Sequence, residues 1–328
     1  AVTGAHPAVL GSDFHYYLEK NATERSYHTD AVKWAFQQGF VITFDWHISG
    51  RNTTTYEYNA TSANLVNNIV NHVGDDREWF YGELDRVIDI INNDLVVGED
   101  NIPIVFRPFH EMNGGWFWWG SSATSATNYK TFYQMVVDYV KERTNSVLFC
   151  WSPNTPMNMS YFPDNDYVDV LGLDAYEVNA QSLRSNLATI IDHAQANDKV
   201  AVLSETGNRT NAGSSAGDNA SLYWKETVLP AIMDDPGGKT RNIAWVLTWI
   251  NASWSYPYVP HPNSSATAKK SFIDFKESGY VYFGGEVENI YEPLPEFTVS
   301  VEEVADHANS IEVYATGENR LIVKIDDH

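Results

Sequence analysis

Two glutamates stand at the ends of short apolar runs. Glu111 closes "IPIVFRPFHE" and Glu205 follows the apolar part of "KVAVLSETG". A charged group in such a place is expensive unless it faces a cavity or finds partners. Two carboxyl groups presented to one pocket from different strands can share the cleavage of an acetal. One protonates the leaving oxygen, and the other attacks the anomeric carbon or activates a water that does. A salt bridge across a rim is the competing reading, and the residues after Glu111 weigh against it. "NGGWFWWG" puts Trp116, Phe117, Trp118 and Trp119 in one loop, with Gly114 and Gly115 allowing the turn. A flat indole covers the C–H face of a sugar ring. Core packing accounts for two of these four aromatics, but not for their position just beyond an acidic strand end.

The totals narrow the partners. Among 328 residues, 43 are acidic and 21 basic, a formal charge of -22. Such a surface repels phosphate backbones, so no nucleic acid is expected and a neutral ligand fits better. Cys150 is the only cysteine, which rules out an internal disulfide and reads as a buried thiol. No apolar run approaches the roughly 20 residues of a membrane span. His6, His15, His28, His72 and His193 are scattered, so neither a metal site nor a cofactor is expected. The chain starts at Ala1 without a methionine, which points to a processed or trimmed start.

The elements that must position the glutamates come next. Seven short apolar runs read as strands buried on both faces: residues 7–13, 40–47, 102–111, 146–154, 168–177, 199–207 and 242–250. Helical spacing appears between them at 77–95, 127–144 and 180–197, and more weakly at 220–235, with Thr127 as a candidate cap. Strands alternating with helices predict an α/β chain, and this count predicts a (β/α)8 TIM barrel with one strand unaccounted for. A doubly wound open sheet is the alternative, weakened because no Gly-rich phosphate loop follows any strand. Nearly every strand ends in residues able to do chemistry: Asp13; Asp45, Trp46 and His47; His110 and Glu111; Trp151; Asp174 and Tyr176; Glu205; Trp249. Barrel active sites form at these strand ends. Residues 1–284 are read as the barrel and 285–328 as a linker and short β-rich tail. In the tail, "FTVSVEEV", "SIEVYAT" and "RLIVKIDDH" alternate with period two, with "TGEN" as a turn.

The motif "RPFHEMNGGWFWWG" resembles the signature of glycoside hydrolase family 26, a family mostly of β-mannanases. "LSETG" is similar to its nucleophile strand, and "FDWH" and "GLDAYE" are in keeping with its other site loops. The resemblance covers roughly residues 5 to 280. It implies a (β/α)8 barrel with the acid/base at the end of strand four and the nucleophile at the end of strand seven. It makes Glu111 the acid/base and Glu205 the nucleophile of a retaining double displacement. His110 and Tyr176 are then expected around the nucleophile, with Trp116 on the leaving-group side and Trp249 flooring the cleaved sugar. His47, Trp46 and Asp174 would line the non-reducing side, with Trp119 and Trp151 as weaker carry-overs. In that family one more strand precedes the "PAVLGSD" region, so here the first strand is missing or unrecognised. The implied substrate is β-1,4-mannan, galactomannan or glucomannan. A β-1,3-xylanase, a mixed-linkage β-glucanase and a non-catalytic carbohydrate-binding barrel are the alternatives. A polymeric substrate implies a monomer that is secreted, periplasmic or on the cell surface.

Overall fold

A computed structural model describes residues 2–58, 64–176, 178–208, 222–251, 257–287, 289–291, 310–316 and 320–326. Two compact units result, Ala1–Ile290 and Tyr291–His328.

The first unit is built on one parallel sheet of seven strands. They are β1 (Val9–Asp13), β2 (Val41–Asp45), β3 (Ile104–Arg107), β4 (Val147–Trp151), β5 (Val170–Tyr176), β6 (Val200–Gly207) and β7 (Val246–Thr248). Their order in the sheet is their order in the chain. Each crossover therefore returns the chain beside the strand it left, as in the (β/α)8 class predicted from the sequence. Register then sets a shared level for the polar strand ends. Asp13 pairs with Asp45, Asp45 with Arg107, and Asp174 with Glu205.

Helices cover the sheet because one stripe of each is apolar. In α1 (Ala22–Gln37), Val32 and Ala35 are buried; in α2 (Asp76–Asp89), Phe80, Leu84, Val87 and Ile88. In α3 (Ala126–Lys141), the buried side is Tyr129, Phe132, Tyr133, Val136, Val137 and Val140. Its cap is Ser125, whose hydroxyl accepts from the Asn128 amide, so the helix begins before the expected Thr127. α4 (Ala180–Ala196) is capped by Asn179 and buries Leu183, Leu187, Ile190 and Ile191. Each of these contributes roughly 2 kcal/mol of burial. The weak pattern at 220–235 resolves into a π-helical stretch, Tyr223–Val228, followed by α5 (Leu229–Met233), with Pro230 in its first turn. The last helix is α6 (Ala266–Lys276).

Seven described strands leave β1 and β7 at the two ends of the sheet order. Beside them lies an apolar cavity of about 730 Å³, bordered by Leu10, Phe40, Trp224, Trp245, Phe272 and Phe283. In the second unit, β8 (Ser310–Thr316) and β9 (Arg320–Asp326) pair antiparallel from Ser310↔Asp326 to Thr316↔Arg320. The strand expected at "FTVSVEEV" and most of the "TGEN" turn lie outside the described residues.

One glycine fixes how closely strands pack under the site. A Cβ on Gly172 of β5 would lie 2.3 Å from Ser204 Oγ and 2.7 Å from Ser152 Cβ. Gly82, inside α2, has nothing within 4 Å of its would-be Cβ. Urea denaturation should therefore show Gly172→Ala destabilised by about 1–3 kcal/mol. Gly82→Ala should be stabilised by roughly 0.5–1 kcal/mol. Equal effects would mean that a side chain at Gly172 does not meet Ser204 and Ser152 in the interior.

Candidate active site

The loop that carries Glu111 leaves β3 through a strained turn. Phe109 and Glu111 both have left-handed backbones, at φ 54° and 53°. Such conformations cost bulky residues about 1–3 kcal/mol each and persist only where surroundings over-determine them. Here the surroundings do so. The Glu111 amide donates to Ser152 O at 2.9 Å, and Tyr129 Oη donates to Phe109 O at 3.1 Å. Trp119 Nε1 donates to His110 O, and Trp118 Nε1 to Ile48 O, both at 2.9 Å. Asn113 bridges to the neighbouring loop, donating to Asn154 O and accepting from the Asn154 amide. Trp116 folds back over the glycines: a Cβ on Gly114 would collide with its ring. Its Nε1 donates to Glu111 Oε2 at 2.8 Å, while 43% of the side chain stays exposed.

Glu205 sits in a different setting. β6 bulges beside β5, so that Leu203 pairs with Leu173 but Glu205 with Asp174. A bulge re-aims a side chain. Tyr176 Oη donates to Glu205 Oε1 at 2.6 Å, and Arg107 Nη2 donates to Oε2 at 2.5 Å. The same Nη2 reaches Asp45 Oδ2 at 2.9 Å, while Nη1 reaches Asp174 Oδ2 at 2.6 Å and Ser152 Oγ at 3.1 Å. Ser204 Oγ donates to the other oxygen of Asp174 at 2.7 Å. Arg107 was not singled out in the sequence, although a lone cation inside "IPIVFRPF" was a visible signal. Cys150 is buried beneath this cluster, and burial pushes its thiol well above the usual range.

The charges around the pocket differ in cause. Burial and the neighbouring Glu205 charge push Glu111 up to about 7, against the pull of Arg107 and the Trp116 hydrogen bond. Burial, with Asp13 and Glu205 nearby, pushes Asp45 up to about 6 despite Arg107. Burial would lower His47, but Asp13 outweighs it by charge and hydrogen bond and, with Asp45 and Glu205, raises His47 to about 9. That hydrogen bond joins His47 Nδ1 to Asp13 Oδ2 at 2.7 Å. Burial and the adjacent Arg107 and His47 cations hold His110 well below the usual imidazole range, so it is neutral.

The candidates separate into two groups. Glu111, Glu205, Tyr176, His47, His110 and Trp116 share one electrostatic and hydrogen-bonded cluster. Among the described residues, the donors to Glu205 are Arg107 and Tyr176; the expected His110 is not among them, and its Nδ1 is buried with no partner among those residues. Trp249 is half-buried, edge-on to Tyr258 at 4.9 Å. Trp46, Trp119 and Trp151 correct the expectation: at 1%, 0% and 0% exposure they offer no face to a ligand. Trp46 packs near Phe80, Phe106 and Phe109, and Trp119 stacks on Phe117. Trp151 meets Phe162 edge-on. Asp174 is likewise fully buried and binds Arg107 rather than lining a sugar site.

Asp45, His47 and His110 place one potential ligand atom each within 4.8 Å of one another. A cation there would have to displace the Arg107–Asp45 and His47–Asp13 pairs and strip the proton from an imidazolium. The chemistry of these donors therefore disfavours a metal.

Comparison with known proteins identifies the family. The sequence model of Glycosyl hydrolase family 26 matches residues 1–214. The chain belongs to that family. A family 26 β-mannanase structure from Bacteroides ovatus is 27% identical, with a TM-score of 0.75 over 89% of this chain and 85% of that one. The catalytic domain of a Bacillus sp. JAMB-750 family 26 endo-β-1,4-mannanase is 30% identical, with a TM-score of 0.74 over 88% and 82%. A mannan endo-1,4-β-mannosidase of Bifidobacterium adolescentis is 27% identical over 279 residues. That match takes in 76% of this chain and 27% of the relative. A second curated mannosidase, from Caldalkalibacillus mannanilyticus, is matched over 50% of its length. The chain thus spans between a quarter and half of these two relatives.

The family 26 site makes a direct titration prediction. Carbon-13 NMR of labelled glutamate should find Glu111 titrating near pH 7. Trp116→Phe removes a donor to the charged form, so the midpoint should rise. Glu205→Gln removes a like charge, so it should fall. A midpoint near 4.5 in all three proteins would sink this account of the site.

Proposed function

We propose that this family 26 barrel is a retaining glycoside hydrolase that cleaves β-1,4-mannosidic linkages in mannan, galactomannan or glucomannan. One observation carries the reading: two glutamates at the same barrel mouth meet different hydrogen-bond partners, Glu111 the Trp116 indole and Glu205 the Arg107 guanidinium and the Tyr176 phenol. Glu111, pushed up to about 7, keeps a proton near neutrality. Glu205 faces two donors, Arg107 and Tyr176, which suits an acceptor-only carboxylate.

In the first step Glu205 attacks the anomeric carbon as the bond to the leaving oxygen breaks. Glu111 gives its proton to that oxygen. The glycosyl–Glu205 ester is then opened by water, with Glu111 taking the water's proton, and both carboxyl groups return to their starting forms. The half-exposed indole of Trp116 lies against Glu111 and is suited to stacking a sugar on the leaving-group side. Trp249 and the imidazolium of His47 serve the opposite side. The mannan specificity rests on relatives named as mannan endo-1,4-β-mannosidases. A polymer of that size implies action outside the cytoplasm.

The test is reducing-sugar release from mannan, galactomannan, β-1,3-xylan and mixed-linkage glucan, with the anomer of the first product read by NMR. Release from mannans with retention is expected, and Glu205→Ala should lose at least about a thousandfold in kcat. Activity should fall as pH rises through about 7, where Glu111 gives up its proton. Release from another glycan overturns the substrate assignment, and inversion overturns the mechanism. Undiminished turnover in Glu205→Ala overturns the role of that residue.

A further inference from the structure

The backbone that carries Glu205 is not held by a regular ladder. Toward β5, Leu203 pairs with Leu173 and Glu205 with Asp174, so Ser204 has no opposite residue. Toward β7, Leu203 pairs with Val246 and Thr206 with Thr248, which leaves two residues of β6 facing one. Between Leu203 and Thr206 the ladder is thus broken on both sides, and a strand bends where its ladder is disrupted. Thr206, directly after Glu205, is the residue at which both neighbouring strands are regained.

Thr206 is fully buried, and its polar atoms reach three separate elements. Its carbonyl accepts from the Trp249 amide at 2.9 Å. Its hydroxyl lies 2.7 Å from Ala175 O and 2.6 Å from Tyr223 Oη. A carbonyl cannot donate, so the single hydroxyl proton goes to Ala175 and the phenol donates to Thr206. Burial raises the Tyr223 phenol, against hydrogen bonds with Thr206 and the Gly207 backbone. Tyr223 therefore meets both residues that follow Glu205. It also opens a π-helical stretch, a form that recurs at functional sites. Ala175 immediately precedes Tyr176, whose phenol donates to Glu205 Oε1.

We propose that Thr206 is a positioning residue for Glu205: the relay from Tyr223 through Thr206 to Ala175 locks the bulged end of β6 to β5 and so fixes Glu205 against Tyr176. This deepens the two-glutamate reading and rests on it. Donors to a carboxylate can aim it only as well as the backbone beneath it is held. A misplacement of about 1 Å can cost roughly a hundredfold in rate. Valine has nearly the shape of threonine without the hydroxyl, so Thr206→Val takes this partner from both Ala175 O and Tyr223 Oη.

The experiment measures kcat and KM on mannan, and the rate of inactivation by 2-deoxy-2-fluoro-β-mannosyl fluoride, which reads attack by the nucleophile. Thr206→Val should lower kcat and the inactivation rate at least about tenfold and leave KM within a few-fold. Thr206→Ser keeps the hydroxyl and should recover both rates to within a few-fold of wild type. Tyr223→Phe should fall between, because Thr206 still reaches Ala175. Thr240→Val is the control: Thr240 is equally buried, and its hydroxyl donates to Ile232 O at 2.9 Å on the chain entering β7. It should lose stability to urea and leave both rates unchanged. Unchanged rates in Thr206→Val, or no recovery in Thr206→Ser, overturn the positioning role. Should Thr206→Val not fold, unchanged rates in Tyr223→Phe overturn it. The labelled peptide of the wild-type protein is also identified, and absence of label on Glu205 overturns the two-glutamate reading instead.

Discussion

The buried contact between Arg107 and the carboxylates of Asp45, Asp174 and Glu205 is the constraint on which the rest of the barrel mouth depends. Removing such groups from water costs several kcal/mol per ion, and attraction repays this only when the geometry is good and every remaining donor and acceptor is used. That condition reaches back into the fold. Strands β2, β3, β5 and β6 must bring their ends to one level, which the register Asp45↔Arg107 and Asp174↔Glu205 does. β5 must also let Ser152 and Ser204 approach, which Gly172 permits by having no side chain. The cluster adds little net stability. It instead makes one arrangement of four strands far better than its neighbours.

The aromatic loop answers a different need. Glu111 lies past the end of β3, in a backbone conformation that its side chain disfavours. Trp118 and Trp119 use buried indole N–H groups as pins on Ile48 and His110, and their rings fill the space behind the loop. Trp116 remains at the surface. The run "WFWW" therefore divides its work: two tryptophans hold the carboxyl in place, and one is available to a ligand.

Much of this was legible from sequence because the signals were local. Apolar β-branched runs marked the seven strands, and the helical stripes of α2, α3 and α4 came out within a few residues. What failed was direction. "FDWH" puts Asp45, Trp46 and His47 together in sequence. Yet in a strand neighbouring side chains point to opposite sides. Trp46 turns into the helix layer against Phe80, while Asp45 turns inward to Arg107. Trp151 and Asp174 were assigned to the pocket for the same reason, proximity to a strand end, and both are buried. Arg107 was missed because its partners are 62, 67 and 98 residues away, and only the strand order of the sheet brings them together. The bulge that re-aims Glu205 leaves no mark in "LSETG".

The two glutamates show how position on one scaffold separates identical side chains. Glu205 is on a strand, at the level where the interior cation and a phenol converge. Glu111 is one turn beyond its strand and takes its side-chain hydrogen bond from a neutral indole rather than from the guanidinium. Glu205 is buried and Glu111 half-buried, so burial alone does not assign their roles. The contacts differ: Arg107 bonds directly to Glu205, whereas Glu111 is raised by burial and by the neighbouring Glu205 charge against the pull of Arg107. In the proposed mechanism one residue type serves as acid and as nucleophile because its surroundings differ at the two strand ends, and β3 supplies the buried arginine four residues before Glu111. In "RPFHE", the first residue hydrogen-bonds Glu205 on a distant strand, and the last is pushed toward the protonated form by burial and by the Glu205 charge.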